Sequence, residues 1–248
     1  MVAGPLSGCE ETVDPAHRKA VRSLREESEL KRIDSLRAIV FDFDGVILES
    51  ANIKTEAFLE VYAAFPDKLA AIRDYHIANA GISRYVKFEH IQRNILRLSY
   101  TEEDKKRVSA EFERLTRERI FSCPQVPGAE ALLQGLRGRV QRIVGSGTPQ
   151  AELELIVATR KMGDWFEELW GTPRVKADIL RDVMARHGLS QQQVLMVGDG
   201  MSDYDAACAA GTRFLARETE TDFSRLTVDK VRDMAQMAVW LEEFDHGQ

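Results

Sequence analysis

Short, continuous apolar runs alternate along this chain with helical segments. The runs fall at 38–41, 140–144, 194–197 and 213–216, with a weaker one at 169–171. An apolar run of this length is typical of a strand buried on both faces, as the strands of a parallel sheet are. Segments with a helical pattern separate the runs, at 128–138, 149–161, 176–187 and 203–210. The alternation predicts an α/β fold built on a parallel sheet.

The stretch from about 52 to 122 breaks this alternation. It shows no strand pattern and predicts four helices instead, at 53–65, 67–79, 83–98 and 102–120. Seventy residues are far more than a strand-to-helix connection needs, so the stretch is predicted to be an inserted helical module. The predicted core is then made of residues 36–51 and 123–248.

Both ends of the chain carry further helical patterns. Residues 1–35 are predicted to be an N-terminal extension, which is helical over the charged stretch 17–33. A C-terminal helix is predicted around 224–244, where Trp240 and Leu241 suggest an apolar face. Either segment could mediate self-association, so monomer and homodimer both remain open.

Composition excludes several classes of partner. The formal net charge of −6 argues against binding to nucleic acid or to anionic lipid, because proteins that bind these surfaces carry excess Lys and Arg. No apolar run approaches the ~18 residues of a membrane-spanning helix. Three scattered cysteines without a CxxC pair fit a reducing compartment. We therefore expect a cytoplasmic protein whose partner is a small molecule.

Acidic side chains follow two of the predicted buried strands. The first strand leads into Phe41-Asp42-Phe43-Asp44-Gly45, and the strand at 194–197 leads into Gly198-Asp199-Gly200-Met201-Ser202-Asp203. Ligands bind open α/β sheets at the carboxyl ends of the strands. If the two strands are neighbours, the acidic groups converge and repel one another unless a hard divalent cation lies between them.

Hydroxyl and basic groups follow the other strands. The second strand leads into Gly145-Ser146-Gly147-Thr148-Pro149 and then directly into a helix. Thr148 followed by Pro149 is the pattern of a helix N-cap with proline at the first helical position. Ser146, at the strand end, is the better candidate to bind a phosphate group. Lys176 precedes a later helix and would attract no attention by itself.

In this order, the motifs resemble those of the haloacid dehalogenase superfamily of phosphohydrolases. Its four motifs match DFDG at 42–45, Ser146, Lys176 and GDGMSD at 198–203, and the resemblance covers about residues 36–218. The helical insert has the position of the C1-type cap, as in phosphoglycolate phosphatase and β-phosphoglucomutase relatives. The resemblance implies a Rossmann-like parallel sheet core with an inserted α-helical cap at 52–122.

The resemblance also implies roles for the acidic residues. Asp42 would be the nucleophile and would form an aspartyl-phosphate, and Asp44 would act as general acid and base. Mg²⁺ would be held by the Asp42 carboxylate, the Asp44 main-chain carbonyl and the Asp199 carboxylate. Haloacid dehalogenases and phosphonate-cleaving relatives lack the second acid, so Asp44 favours hydrolysis of a phosphate ester.

Further roles follow for the residues around the phosphoryl group. Ser146, Gly147 and Lys176 would hold its oxygens, and Lys176 would offset the charge of Asp42. Asp203 would orient Lys176 or a metal-bound water.

The predicted cap must recognise the leaving group, because the core handles only the phosphoryl group. Arg84, Lys87 and His76 lie at a predicted helix-turn-helix corner and are candidate substrate contacts. Many capped relatives follow the first motif with an Asp-Ser pair and a His, whereas this chain has Glu49-Ser50 and Lys54. Glu49 and Lys54 are therefore candidate contacts that bear on the choice of substrate.

Three functions are compatible with these residues. The leading one is a Mg²⁺-dependent phosphatase of a small phosphorylated metabolite, with a sugar phosphate or a similar hydroxy compound as substrate. A phosphosugar mutase of the β-phosphoglucomutase type would use the same Asp42 and Asp44. A non-catalytic binding protein on the same fold is the third, although it would be expected to have lost Asp42, Asp44 or Lys176.

Overall fold

All four residues of strand β1, Ala38–Phe41, are buried, as their uniformly apolar sequence predicts. The computed structural model describes residues 36–244, so the helix predicted at 17–33 lies outside the described residues. The described residues form five further strands: β2 Gln141–Pro149, β3 Glu168–Thr172, β4 Val194–Gly198, β5 Arg213–Arg217 and β6 Asp229–Val231. The order in the sheet is β3-β2-β1-β4-β5-β6, and every pair is parallel.

Strand β1 lies in the middle of the sheet. Its last residue, Phe41, pairs with Val144 of β2 and with Val197 of β4. The backbone N–H of Asp42 then donates to the carbonyl of Val197 at 2.8 Å. The carboxyl ends of β1, β2 and β4 therefore meet at one edge of the sheet, as the sequence pattern requires of parallel neighbours.

The insert between β1 and β2 is helical in the structure. Its helices are α1 Ala51–Val61, α2 Leu69–Ala78, α3 Arg84–His90 and α4 Glu102–Ser122, with a 3₁₀ turn at Pro66–Lys68 before α2. Phe58, Tyr62, Phe88 and Phe112 are buried together in an apolar cluster built from these helices. We call the segment 51–122 the cap.

One cap helix is shorter than predicted. The sequence predicts a single helix at 83–98, whereas α3 ends at His90. The chain then forms a π-helix over Ile91–Ile95. The chain then turns at Arg97, whose φ is +59°. Apolar residues keep a helical spacing through this stretch, which does not distinguish an α-helix from the wider π-helix.

Helices cover both faces of the sheet. They are α5 Ala129–Gly135, α6 Gln150–Thr159, α7 Lys176–His187, α8 Met201–Ala210 and α9 Met234–Phe244, with a 3₁₀ turn at Gln191–Gln193 before β4. Alternate residues of β1 point to opposite faces. Ile39 and Phe41 join one apolar cluster, and Ala38 and Val40 join another. This architecture confirms the predicted Rossmann-like α/β fold.

The C-terminal prediction is wrong over its first ten residues. Instead of one helix around 224–244, the structure has a loop, strand β6 and then α9, which begins at Met234. Strand β6 pairs with β5 through Leu215 and Asp229. With only three residues, two of them charged, this edge strand has no apolar run by which the sequence could reveal it.

Within residues 36–244, no helix combines the length and the apolar character required to cross a membrane.

Candidate active site

Asp42 lies immediately after β1 and is 2% exposed. The backbone N–H of Phe43 donates to its Oδ1 at 2.7 Å. Its Oδ2 is 2.9 Å from Lys176 Nζ, an ion-pair distance. Burial raises the pKa of Asp42 to about 7, and Lys176 opposes that rise.

Gly45 allows the first acidic turn to approach the end of β4. Its φ is +77°, a conformation that residues with a side chain rarely adopt. A Cβ at this position would lie 2.1 Å from Oδ2 of Asp199. Asp199 is buried, and Thr219 Oγ1 donates to its Oδ2 at 3.2 Å. Burial and then repulsion from Asp42 raise the pKa of Asp199 well above its usual value.

Asp203 joins these two carboxylates from the first turn of α8. One oxygen from each of Asp42, Asp199 and Asp203 lies within 4.8 Å of the others. Asp203 is already engaged, because Lys176 Nζ donates to its Oδ1 at 2.5 Å and the Gly200 N–H donates to its Oδ2 at 3.1 Å. Among the described residues, the Asp199 carboxylate accepts a hydrogen bond only from Thr219. Buried, mutually repelling oxygen donors of this kind suit a hard divalent cation such as Mg²⁺.

Lys176 begins α7 and lies between Asp42 and Asp203. Its side chain is 7% exposed, and its Nζ lies 2.9 Å from Asp42 and 2.5 Å from Asp203. Burial opposes the ammonium form, but the two carboxylates outweigh burial and raise the pKa of Lys176. The charge of Lys176 therefore partly compensates the acidic cluster.

Asp44 has a different set of hydrogen-bond partners from the acidic cluster. Its carboxylate accepts hydrogen bonds from the Lys54 ammonium, from Ser50 Oγ at 2.7 Å and from Thr148 Oγ1 at 2.9 Å. Burial raises the pKa of Asp44, but Lys54 and the two hydroxyls outweigh burial and lower it. Asp44 is thus held as a carboxylate by one residue from the cap, one from the loop before α1, and one from the core.

Thr148 corrects a sequence prediction. It is not the N-cap of the next helix, because β2 extends to Pro149, Pro149 occupies the N-cap position and α6 begins at Gln150. Thr148 instead donates to Asp44 and accepts a hydrogen bond from Lys54 at 2.7 Å. Residues two apart in a strand point the same way, so the spacing from Ser146 could have indicated this role.

The other two predicted phosphate-binding residues of β2 lie beside Thr148. The Ser146 hydroxyl is buried and accepts a hydrogen bond from the Thr148 N–H at 3.0 Å. Gly147 forms part of the cavity wall and packs against the cap, since a Cβ there would lie 2.5 Å from the carbonyl of Gly81. Gly81, with φ at +81°, also packs against Lys176. A Cβ added at Gly81 would lie 2.9 Å from the Lys176 Nζ.

A cavity of about 340 Å³ lies between the cap and the core. Asp42, Asp44 and Asp199 line its core side. The five predicted substrate contacts also line it: His76, Arg84, Lys87, Glu49 and Lys54. The structure therefore brings the predicted cap residues to the same space as the acidic cluster, while their roles remain predictions.

Arg84 and Glu49 are each ion-paired with another side chain, as Lys54 is with Asp44. Arg84 reaches from α3 to Glu152 on α6, with Nη1 donating to Oε1 at 3.2 Å and Nη2 donating to Oε2 at 2.5 Å. Glu49 accepts from Arg217 Nη2 at 2.7 Å. Arg217 cannot be identified as a cavity residue from the sequence, because a single Arg after an apolar run carries no distinguishing signal.

Lys87 and His76 form a separate pair in the cap. Lys87 Nζ lies 3.3 Å from His76 Nδ1 and 3.4 Å from the His76 carbonyl oxygen. Both side chains are buried, at 3% and 7% exposed. The His76 ring packs on Phe58 with 4.5 Å between centroids.

Residues 36–211 match the sequence profile of a family described as haloacid dehalogenase-like hydrolase. The chain belongs to this family. The predictions that it is a member of the haloacid dehalogenase superfamily and that it is an enzyme are therefore confirmed.

Sequence identity to individual relatives is low. The chain is 25% identical over 216 residues to phosphoglycolate phosphatase 1 of Pseudomonas aeruginosa, covering 82% of this chain and 79% of that protein. A hydrolase from Pseudomonas syringae superposes with a TM-score of 0.71 at 17% identity, covering 84% of this chain and 98% of the other. A β-phosphoglucomutase from Clostridium difficile superposes with a TM-score of 0.69 at 17% identity, covering 85% of this chain and 97% of the other. At such identities the structural likeness shows a shared fold.

Proposed function

We propose that this protein is a Mg²⁺-dependent phosphatase that hydrolyses a small phosphorylated metabolite through an aspartyl-phosphate on Asp42. The observation that carries the proposal is the placement of Asp42: a buried carboxylate 2.9 Å from the Lys176 ammonium, with a second acid, Asp44, two residues away. The 25% identical relative is named a phosphoglycolate phosphatase, which supports the phosphatase reading.

In the first step, an Asp42 carboxylate oxygen attacks phosphorus, and the bond from phosphorus to the ester oxygen breaks. The leaving oxygen takes its proton from Asp44, which gained that proton from the water of the preceding turnover. Giving it up returns Asp44 to the carboxylate form that its hydrogen bonds favour. In the second step, Asp44 removes a proton from water, the water oxygen attacks phosphorus, and inorganic phosphate leaves Asp42. Lys54, Ser50 and Thr148 hold Asp44 in the carboxylate form that this second step requires.

The Asp42 and Asp199 carboxylates, together with the Asp44 main-chain carbonyl, would hold magnesium. A magnesium ion there would supply positive charge and reduce the repulsion between an anionic nucleophile and an anionic substrate. Lys176 adds a fixed ammonium beside Asp42, and Asp203 positions that ammonium from the other side. The buried hydroxyl of Ser146 and the backbone of Gly147 are the proposed contacts of the phosphoryl oxygens.

The test is phosphate release from a panel of phosphorylated hydroxy compounds, including sugar phosphates, with Mg²⁺ present. We expect release from at least one ester, its loss in EDTA and its return with excess Mg²⁺. Asp42→Asn should fall to about one thousandth of the wild-type rate or below, whereas Asp205→Asn, an exposed Asp on α8, should remain active. Full activity of Asp42→Asn would refute the proposed nucleophile.

The alternatives have different outcomes in the same experiment. A mutase converts a hexose 1-phosphate to the 6-phosphate, and neighbours named β-phosphoglucomutase make that product worth measuring. A binding protein on this fold would release no phosphate and form no isomer while still binding Mg²⁺.

A further inference from the structure

Four cationic side chains line the cavity: Lys54, Arg84, Lys87 and Arg217. Three are paired with carboxylates, since Lys54 contacts Asp44, Arg84 contacts Glu152 and Arg217 contacts Glu49. Among the described residues, no carboxylate lies within ion-pair distance of Lys87, which hydrogen-bonds only to His76. Lys87 is therefore the cation of this cavity whose charge the protein itself does not balance.

The burial of Lys87 makes this arrangement costly. Its side chain is 3% exposed, and an ammonium removed from water is normally paired with an acid. Its two contacts with His76 are long, at 3.3 and 3.4 Å, and Nζ also lies 5.6 Å from the centroid of the Phe58 ring. The third N–H has no oxygen or nitrogen acceptor within the described part of the chain. Burial, followed by repulsion from Lys54, lowers the pKa of Lys87 to about 7. An anion beside Lys87 would reverse this effect.

His76 supplies a second donor at the same place. When Lys87 is an ammonium it has only donors, so His76 Nδ1 accepts from it and the ring proton lies on Nε2. Burial and the neighbouring Lys87 lower the pKa of His76 to about 2, which keeps the ring neutral. No hydrogen bond to Nε2 occurs among residues 36–244, and His76 lines the cavity. Lys87 and His76 together therefore offer the cavity one positive charge and two N–H donors.

We infer that Lys87, with His76 beside it, binds a carboxylate on the leaving group, so that the preferred substrate is a phosphate ester of a hydroxy acid. Charge matching selects a carboxylate, because one unpaired ammonium balances its single charge. A distal phosphate carries nearly two charges and would need a second cation. The other three cations of the cavity are already paired. This inference rests on the proposed phosphatase activity and makes Lys87 a determinant of its specificity.

The first experiment needs no variant. Wild-type enzyme is assayed on 3-phosphoglycerate and on glycerol 3-phosphate, which differ by a carboxylate in place of a hydroxymethyl group. A second pair, 2-phosphoglycolate and 2-hydroxyethyl phosphate, makes the same comparison on a shorter ester. A third, glucose 1,6-bisphosphate and glucose 1-phosphate, compares a distal phosphate with a hydroxyl. We expect kcat/KM to favour the carboxylate in at least one of the first two pairs by about 10- to 100-fold.

Variants then test whether Lys87 causes the preference for an ester that carries a carboxylate. Lys87→Met removes the ammonium and keeps a chain of similar length, and Lys68→Met makes the same change at an exposed cap lysine. We expect Lys87→Met to lower kcat/KM for the preferred acid about 10- to 100-fold and to change that of its neutral analogue less than about threefold. Lys68→Met should leave both values near wild type.

The outcomes separate this inference from the proposed function. Release of phosphate from neutral esters without a carboxylate preference would overturn the inference and leave the phosphatase in place. Equal losses for both members of a pair in Lys87→Met would also overturn it, because they would assign Lys87 a structural role. A preference for glucose 1,6-bisphosphate alone would overturn it as well, because the group bound by Lys87 would then be a distal phosphate and not a carboxylate. No release from any ester would overturn both proposals.

Discussion

The ion pair between Arg84 and Glu152 joins the cap to the core beside the cavity, and its removal tests whether cap closure depends on it. The two fork-like hydrogen bonds measure 3.2 and 2.5 Å, and the side chains are 9% and 16% exposed. Arg84 was predicted from the sequence to contact substrate. The structure adds a different way for it to act, which is to hold α3 of the cap against α6 of the core.

The expected magnitude follows from burial. Exposed ion pairs contribute about 0.2–1 kcal/mol, whereas hydrogen bonds to charged groups contribute about 1.5–3 kcal/mol when water is largely excluded. The low exposure of both side chains places this pair in the second range, at about 2 kcal/mol. If the contact forms only when the cap is closed, that energy appears in catalysis, and its loss lowers kcat/KM by about 30-fold.

A double-mutant cycle measures the coupling directly. Arg84→Met, Glu152→Gln and the double variant are compared with wild type by kcat/KM on the best ester of the panel. The matched control is Arg93→Met with Glu89→Gln, an exposed pair on one cap helix face with 52% and 55% exposure. Its coupling should not exceed about 0.5 kcal/mol.

A coupling energy for Arg84 and Glu152 no larger than that of the control would refute this reasoning. A large loss for Arg84→Met with none for Glu152→Gln would point instead to a direct contact between Arg84 and substrate.

Two further predictions concern stability. Phe112→Ala should lower the free energy of unfolding by about 3–5 kcal/mol in urea, because its ring is buried against other cap rings, while exposed Phe65→Ala should change it by less than about 0.5 kcal/mol. A loss below about 1 kcal/mol for Phe112→Ala would contradict this packing. Hydrogen bonds from Arg186 lower the pKa of Glu168 from 4.5 to about 2, so this pair stabilises the fold above pH 4.5 and loses that contribution as pH falls towards 2. Glu168→Gln should therefore be less stable than wild type by about 1 kcal/mol at pH 7, and a difference that is as large at pH 3 would contradict the assignment.

The acidic turn after β1 illustrates what could be predicted from the sequence. Four apolar residues in a row require burial on both faces, and parallel neighbours bring strand ends to one edge, so Asp42 and Asp199 could be expected to meet. The opposite case is β6, whose three residues carry no pattern and whose pairing with β5 exists only in the folded sheet. Thr148 lies between these cases: its residue type fitted an N-cap, but the strand continued past it and directed its hydroxyl to Asp44.

The sequence by itself determined the fold class, the helical insert and the edge of the sheet at which the acidic residues lie, because these depend on local periodicity and on residues next to one another in the chain. Only the tertiary structure decided which charges are paired. Arg84 and Glu152 are 68 residues apart in the sequence, and Arg217 and Glu49 are 168 apart. Nothing local in the sequence distinguishes these paired residues from Lys87, whose charge remains unbalanced because no carboxylate of the described fold reaches it. Ion pairing depends on the distance between two charges in the folded molecule, and the sequence gives only their separation along the chain.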